Sequence, residues 1–123
     1  MEDRITVNGI EYVRADSQTQ GQTFAQSADG RPYVIVRCTS AGVHAGYLTS
    51  REGDEVVLYN SRRLWRWHGR TLSGLAIEGT DDPSQCKFGD VLPVITLLGA
   101  CEIIPCSEAA RISLEGVSLW VND

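Results

Sequence analysis

The chain has 123 residues, a length that predicts one domain over residues 1–123 with a single hydrophobic core. Acidic residues outnumber basic ones by 16 to 11, and the net charge of −5 argues against general nucleic-acid binding, which depends on neutralising phosphates. No apolar run approaches the roughly 18 residues of a membrane span, so we expect no membrane partner. The first residues lack the basic and apolar regions of a signal peptide, and a cytoplasmic location is therefore expected.

The N-terminal part predicts a hairpin followed by a loop. In the segment Ile5–Val13, Asn8–Gly9 is a preferred turn pair flanked by β-branched and aromatic residues. Ser17–Arg31 is polar, rich in Gln and without periodicity, which predicts a mobile loop with room for a short helical turn around Phe24.

A three-strand meander is predicted next, from Tyr33–Thr39, Val43–Thr49 and Glu55–Tyr59, with a turn at 51–54. The alternation in the second strand predicts one face made of Val43, Ala45 and Tyr47 and an opposite face made of His44, Gly46 and Leu48. Asn60–Ser61 is a candidate bulge or bend at the end of the third strand.

Two interpretations are open for Arg62–His68. As a strand it places Arg63, Trp65 and Trp67 on one face, and Arg62, Leu64, Arg66 and His68 on the other. As a helix it aligns Leu64 with Trp67 or His68, but it ends at Gly69 after barely two turns. We favour the strand, because the apolar meander strand leads directly into it and Trp is common in strands.

The rest of the chain mixes helices and strands. In chain order the pattern predicts a helix at Thr71–Ile77, capped by Thr71 or Ser73 and ended by Gly79, and a loop at Asp81–Gln85. It then predicts buried strands at Val91–Leu98 and Cys101–Cys106, a Ser107-capped helix at Glu108–Glu115 and a last strand at Val117–Val121. The predicted fold class is therefore α+β, a β-rich antiparallel sheet (meander) with one or two short helices.

Positive charge and large aromatic rings are concentrated in NSRRLWRWHGR, residues 60–70. This stretch contains four Arg, two Trp and no acid, and since it carries +4 of a total of −5, the rest of the chain carries −9. Arg binds phosphate and carboxylate with two bonds and stacks on rings, so the composition indicates a small anionic ligand rather than a long polyanion. The candidate ligand-binding residues, including neighbours that the meander would bring close, are Arg37, His44, Tyr47, Asn60, Arg62, Arg63, Trp65, Arg66 and Trp67.

The same residues also have structural interpretations. Trp65 and Trp67 are typical of a core or a subunit interface. The arginines of this stretch could pair with acids such as Glu78, Asp81 or Asp82, and His44 could be a buried, hydrogen-bonded histidine. We interpret His68 as exposed and incidental.

Three segments, AGVHAG, RRLWRW and EIIP, resemble a family of small proteins of tailed bacteriophages, which carries the motifs AGVHxG, RRxWxW and EIIP. The resemblance covers about Tyr33 to Ala109 and implies a protein that acts in the cytoplasm of an infected bacterium. Phage proteins that defeat host defences include sponges, homo-oligomers that capture nucleotide second messengers in pockets combining Arg with aromatic rings. Because residues 60–70 have this combination of Arg and Trp, our first hypothesis is a non-enzymatic, anti-defence sponge for a nucleotide-type immune signal.

Two alternatives remain: a protein-interaction module that binds an acidic host or phage protein through the Arg/Trp strand, and a nucleotide hydrolase. We expect no cofactor and no metal, because Cys38, Cys86, Cys101 and Cys106 lack the paired spacing of a zinc site. In a cytoplasm these four cysteines are expected to be reduced, semi-buried thiols.

Overall fold

The structure is a computed structural model that describes residues 4–7, 10–13, 24–68 and 71–120. The two N-terminal strands pair antiparallel, with Val7 opposite Ile10, as the hairpin prediction requires. The predicted turn Asn8–Gly9 and the first part of the predicted mobile loop lie outside the described residues.

The described elements, in chain order, are β1 Arg4–Val7, β2 Ile10–Val13, β3 Tyr33–Cys38, β4 Val43–Glu52, β5 Glu55–Arg66, α1 Leu72–Glu78, a 3-10 turn Pro83–Gln85, β6 Lys87–Phe88, β7 Leu92–Leu97, β8 Ala100–Pro105 and α2 Glu108–Glu115. The main sheet has the strand order β6-β5-β4-β3-β8, with β7 beside the first half of β5. All these pairings are antiparallel, and the two short helices complete an α+β fold, as predicted.

The sheet curls strongly. Strands β7 and β8 lie at opposite ends of the strand order, yet only Leu98 and Gly99 connect them. The backbone N–H of Thr39, after β3, donates to the carbonyl of Gly99 at 2.9 Å, and the N–H of Ala100 donates to the carbonyl of Asp54 at 2.9 Å. The two ends of the sheet therefore approach each other at this turn, and we call the face they enclose the inner face.

Each face of the sheet has its own apolar core, because side chains alternate along the strands. The inner-face core consists of Val34, Val36, Cys38, Val56, Leu58 and Leu97. Against the opposite face, which we call the helix face, the two helices bury Tyr33, Ile35, Ala45, Leu64, Leu75, Phe88, Ala110 and Leu114. Strand β3 is covered on both faces and is therefore the centre of the fold.

α2 begins at its predicted cap, and α1 begins at Thr71, one of its two candidate caps. The Thr71 hydroxyl accepts a hydrogen bond from the N–H of Gly74 at 3.1 Å, and the Ser107 hydroxyl accepts one from the N–H of Ala110 at 3.0 Å. Each cap satisfies an N–H that has no partner within the helix, which fixes where the helix starts. α1 ends at Gly79, whose φ of 79° suits a glycine.

Other predictions differ from the structure. β7 and β8 are strands, but the prediction that both are buried was wrong, since Leu97 is the one buried residue of these two strands and the others are exposed or half-buried. The reason is that they are end strands of the sheet, so neighbouring chain covers them less. Phe24 forms an isolated bridge to Ser107, and the residues before it lie outside the described ranges. In the described part of the predicted last strand, residues 117–120, there is only an isolated bridge between Leu119 and Phe88.

Candidate functional site

A bulge in β5 decides which side chains reach each face. Ala45 of β4 pairs with Arg62, but Tyr47 pairs with Tyr59, so β5 holds one extra residue between these two pairs. Asn60 adopts a φ of 49°, which Asn tolerates better than most residues. The bulge predicted at Asn60–Ser61 is therefore confirmed, and beyond it Arg62 lies on the helix face and Arg63 on the inner face.

Arg62 is buried in the helix-face core. Its Nε donates to the carbonyl of Gly89 at 3.0 Å, and its Nη1 donates to the carbonyls of Leu114 at 3.3 Å and Val117 at 2.7 Å. The guanidinium also lies 5.3 Å from the centre of the Phe88 ring, and burial lowers its pKa. The side chain thus satisfies carbonyls at the end of α2, and it is committed to the fold.

Arg63 and Trp65 form the centre of the candidate site. The Arg63 guanidinium carbon lies 4.9 Å from the centre of the Trp65 ring, a cation–π contact. Trp65 is 56% exposed, although the large apolar ring of a tryptophan is usually mostly buried in a folded protein. Together they present a cation and a large ring surface at the same place.

Two depressions meet at this pair. The first has a volume of about 330 Å³ and is lined by Ser40, Ala41, Gly42, Val43, Arg63, Leu64, Trp65 and Trp67. The second has a volume of about 240 Å³ and is lined by His44, Arg63, Trp65, Gly89, Asp90, Leu92 and Ile95. Arg63 and Trp65 belong to both, so they form the wall between them.

The two depressions differ in charge. The second contains the carboxylate of Asp90 and the imidazole of His44, which is 1% exposed. Burial lowers the pKa of His44, and the nearby charge of Arg63 lowers it further, so the ring is neutral near pH 7. Its Nε2–H donates to the carbonyl of Ala41 at 2.8 Å. Since the described lining of the first depression includes Arg63 but no acid, an anion is favoured there.

The residues that follow Trp65 lie in different surroundings. A second irregularity between Leu64 and Arg66 interrupts the alternation, so Trp67 packs partly against the helix-face core while still lining the first depression. Arg66 is exposed at the end of β5. His68 is exposed, and its Nδ1 lies 3.1 Å from a carboxylate oxygen of Asp81.

Three further predicted site residues also lie apart from both depressions. Arg37 forms a surface ion pair in which its Nε donates to Glu102 at 2.8 Å. Tyr47 lies on the helix face, where its hydroxyl donates to Glu115 at 3.0 Å. Asn60 is exposed at the bulge and shapes β5 there. The fold therefore brings His44, Arg63, Trp65 and Trp67 together and separates the other predicted residues from them.

Sequence reasoning missed Trp120, which is a neighbour of Trp65, and Lys87, which is a neighbour of Trp120. The ring of Trp120 lies 6.5 Å from that of Trp65, centre to centre, and the Nζ of Lys87 lies 5.0 Å from the centre of the Trp120 ring. The available signal was composition, since Lys87 is the single lysine and Trp120 the third tryptophan of the chain. Their distance from Arg62–Trp67 along the sequence concealed their proximity in space.

Three further observations concern metal ligands, thiols and membrane-spanning helices. Within the described ranges, no group of three or more His, Cys, Asp or Glu side chains could hold a metal ion. The four cysteines are free thiols, of which Cys101 is exposed and the other three are buried. In the part of the chain that the structure describes, no helix combines the length and the apolar character needed to cross a membrane.

A family model described as a domain of unknown function, DUF6948, matches residues 31–114. The chain belongs to this family. The DUF6948 match runs from just before β3 to the last turn of α2, so it includes Arg63, Trp65 and the loop that forms the first depression. No curated protein and no solved structure matches the chain.

Proposed function

We propose that this protein is a non-enzymatic binding protein that sequesters a small, anionic, nucleotide-type ligand at the Arg63–Trp65 wall. The observation that carries the proposal is the guanidinium of Arg63 held 4.9 Å from the centre of the exposed Trp65 ring. A nucleotide needs a surface on which its base can stack, worth roughly 1–3 kcal/mol, and a cation for its phosphate. Trp65 supplies the stacking surface and Arg63 supplies the cation, and the two side chains are in contact.

The first depression suits such a ligand better than the second. Its volume of about 330 Å³ falls at the lower end of the range for small-molecule sites. The turn Ser40–Gly42 lines it together with Arg63, Trp65 and Trp67, so a turn, a cation and two rings border one space. Gly42 has a φ of 88°, a backbone conformation that favours glycine, and the turn passes near the site, since a Cβ atom built on Gly42 would be in ordinary van der Waals contact with the Nε of Arg63 at 3.9 Å.

A homo-oligomer is part of the proposal. The depression is open on one side, and tight capture requires a ligand to be enclosed by ordered side chains. A second copy of the chain placed over the opening would supply the missing wall. The resemblance to tailed-phage proteins supports the narrower proposal that the captured ligand is a nucleotide immune signal of the infected host.

The test is isothermal titration calorimetry with a panel of cyclic nucleotides, linear nucleotides and ADP-ribose derivatives. We expect stoichiometric binding of at least one ligand, and loss of at least tenfold in affinity for Arg63→Ala and for Trp65→Ala. The matched control is Arg51→Ala, which removes an exposed arginine whose Nε donates to the carbonyl of Gly53, away from the depressions. Absence of binding by the whole panel would contradict the proposal. Recovery of the ligand unchanged after denaturation separates capture from hydrolysis.

A second candidate function, docking of an acidic host or phage protein, is favoured by exposed apolar residues on β5 and β7. Tyr59, Leu92 and Val94 are 37%, 43% and 55% exposed on paired positions of β5 and β7. Exposed apolar patches often mark protein interfaces. This candidate predicts that Val94→Asp abolishes co-purification of a partner from infected cells while nucleotide binding by the variant stays unchanged.

A further inference from the structure

Beyond Trp65 lies a second pair of a cation and an aromatic ring. The Nζ of Lys87 is 5.0 Å from the centre of the Trp120 ring, and the two indoles are 6.5 Å apart with an angle of 60° between their planes. Trp120 is 37% exposed. Contacts therefore run in the order Arg63, Trp65, Trp120, Lys87, with a cation at each end and two rings between them.

Backbone hydrogen bonds hold this array in place. β6 pairs with the end of β5, where Leu64 lies opposite Phe88 and Arg66 opposite Lys87. The C-terminal segment then adds to β6 through a parallel bridge between Leu119 and Phe88, and the N–H of Trp120 donates to the carbonyl of Phe88 at 2.9 Å. Because β5 places Trp65 and backbone hydrogen bonding to β6 places Trp120, the array exists before any ligand arrives, which lowers the ordering cost of binding.

The buried Arg62 also supports the array. Its Nη1 donates to the carbonyl of Val117 at 2.7 Å, and its Nε donates to the carbonyl of Gly89 at 3.0 Å. These two bonds tie the C-terminal segment and the residue after β6 to the same side chain of β5. The segment that carries Trp120 is thus anchored to the strand that carries Trp65.

The order of cations and rings in this array indicates which class of ligand could occupy all of it. A mononucleotide has one base and one phosphate-bearing end, so it can use one cation–ring pair. A ligand with two bases joined through phosphates can stack on both indoles and meet both cations. A long nucleic acid is disfavoured, because the chain carries a net charge of −5 and the array offers only two cations.

We propose that Trp120 and Lys87 form a second subsite, and that the ligand class is a dinucleotide whose two bases stack on Trp65 and Trp120. This inference rests on the proposed function, since it assumes a nucleotide at Arg63–Trp65. The first subsite determines whether nucleotides bind, and the second determines the preference for two linked nucleotides over one.

The test is calorimetry with three probes: AMP, the linear dinucleotide pApA and cyclic di-AMP. For the wild-type protein we expect at least one dinucleotide to bind about tenfold or more tightly than AMP, as one additional stacked base implies. Trp120→Ala should remove this preference and leave AMP affinity within about twofold, whereas Trp120→Phe should retain most of it because it keeps a ring. Thermal unfolding of each variant confirms that it is folded.

Several outcomes would overturn the inference and are distinguishable from one another. Equal affinity of AMP and both dinucleotides for the wild-type protein removes the second subsite. An equal loss for AMP and for the dinucleotides in Trp120→Ala assigns Trp120 a merely structural role. In both cases the proposed function survives. If none of the three probes binds the wild-type protein, the proposed function fails for adenine nucleotides, and the inference fails with it.

Discussion

Gly46 and Ser61 approach each other so closely that a Cβ atom on Gly46 would lie 2.6 Å from the Cβ of Ser61. Real Cβ atoms do not come this near, so β4 accepts only glycine at this position. The contact seats the bulge of β5 against β4, and the bulge sends Arg62 and Arg63 to opposite faces. Gly46, which has no side chain, therefore determines which of the two arginines lies at the candidate site.

Gly46→Ala should destabilise the protein by roughly 1–3 kcal/mol, the usual cost of forcing a methyl group into packed structure. The new atom would also meet the Cα of Ser61 at 2.8 Å, which is backbone and cannot rotate away. Urea unfolding measures the change. Gly89→Ala is the matched control, because a Cβ there would have its nearest contact at 3.7 Å; equal stability of the two variants would contradict this account.

Arg62→Ala should cost about 2–4 kcal/mol of unfolding free energy, whereas Arg63→Ala should cost less than about 0.5 kcal/mol. Removal of Arg62 leaves the carbonyls of Gly89, Leu114 and Val117 without this donor. Arg63 is half-buried and lies against an exposed ring. The comparison uses urea unfolding of both variants, and the reverse order of stability would show that the two faces have been wrongly assigned.

Protonation of His44 should make the fold less stable in mild acid. Burial lowers the folded-state pKa of His44 below the unfolded value of about 6.5, so the unfolded chain binds the proton more readily. Above the unfolded-state pKa, His44 is neutral in both states and does not reduce the free energy of unfolding. As the pH falls below that pKa, the unfolded chain binds a proton that the folded protein does not, and the free energy of unfolding decreases. In His44→Gln, the free energy of unfolding should depend less on pH between about pH 7 and pH 5.

An unchanged pH dependence in His44→Gln would contradict this prediction. His68 is the matched control, because it is the other histidine of the chain and is exposed beside Asp81. In His68→Gln, the free energy of unfolding should still decrease between about pH 7 and pH 5, because His44 is unchanged.

Cys101 should be the first thiol to react with a disulfide reagent such as Ellman's reagent. It is exposed, whereas Cys38, Cys86 and Cys106 are buried, and burial raises the pKa of Cys106 to about 12. We expect one fast phase in the native protein and three more thiols on unfolding. Cys101→Ser should remove the fast phase, and its persistence in that variant would mean that a buried thiol is accessible.

Local sequence signals predicted much of the fold. The caps at Thr71 and Ser107, the glycine at the end of α1 and the bulge at Asn60–Ser61 depend on neighbouring residues, so the pattern contained the information. The alternation in β4 correctly grouped Ala45 with Tyr47 on one face and His44 with Leu48 on the other; the structure shows that the first is the helix face and the second the inner face.

The site was predicted less completely, because its geometry depends on contacts between distant parts of the chain. Composition cannot distinguish Arg62 from Arg63, and only the carbonyls near the end of α2 make Arg62 a core residue. Trp120 was not predicted, since its position follows from the bridge between Leu119 and Phe88. Burial of β7 was overestimated because an apolar sequence does not reveal that a strand lies at the end of its sheet.

The most direct test of the central claim is an NMR titration that follows the three indole N–H signals of the protein, one for each tryptophan. The ligand is the tightest binder among AMP, pApA and cyclic di-AMP, and each signal is assigned from a Trp→Phe variant. The account predicts a large, saturable shift of the Trp65 signal that is lost in Arg63→Ala. A titration in which all three signals stay in place, or in which the Trp65 signal shifts equally in Arg63→Ala, would contradict it.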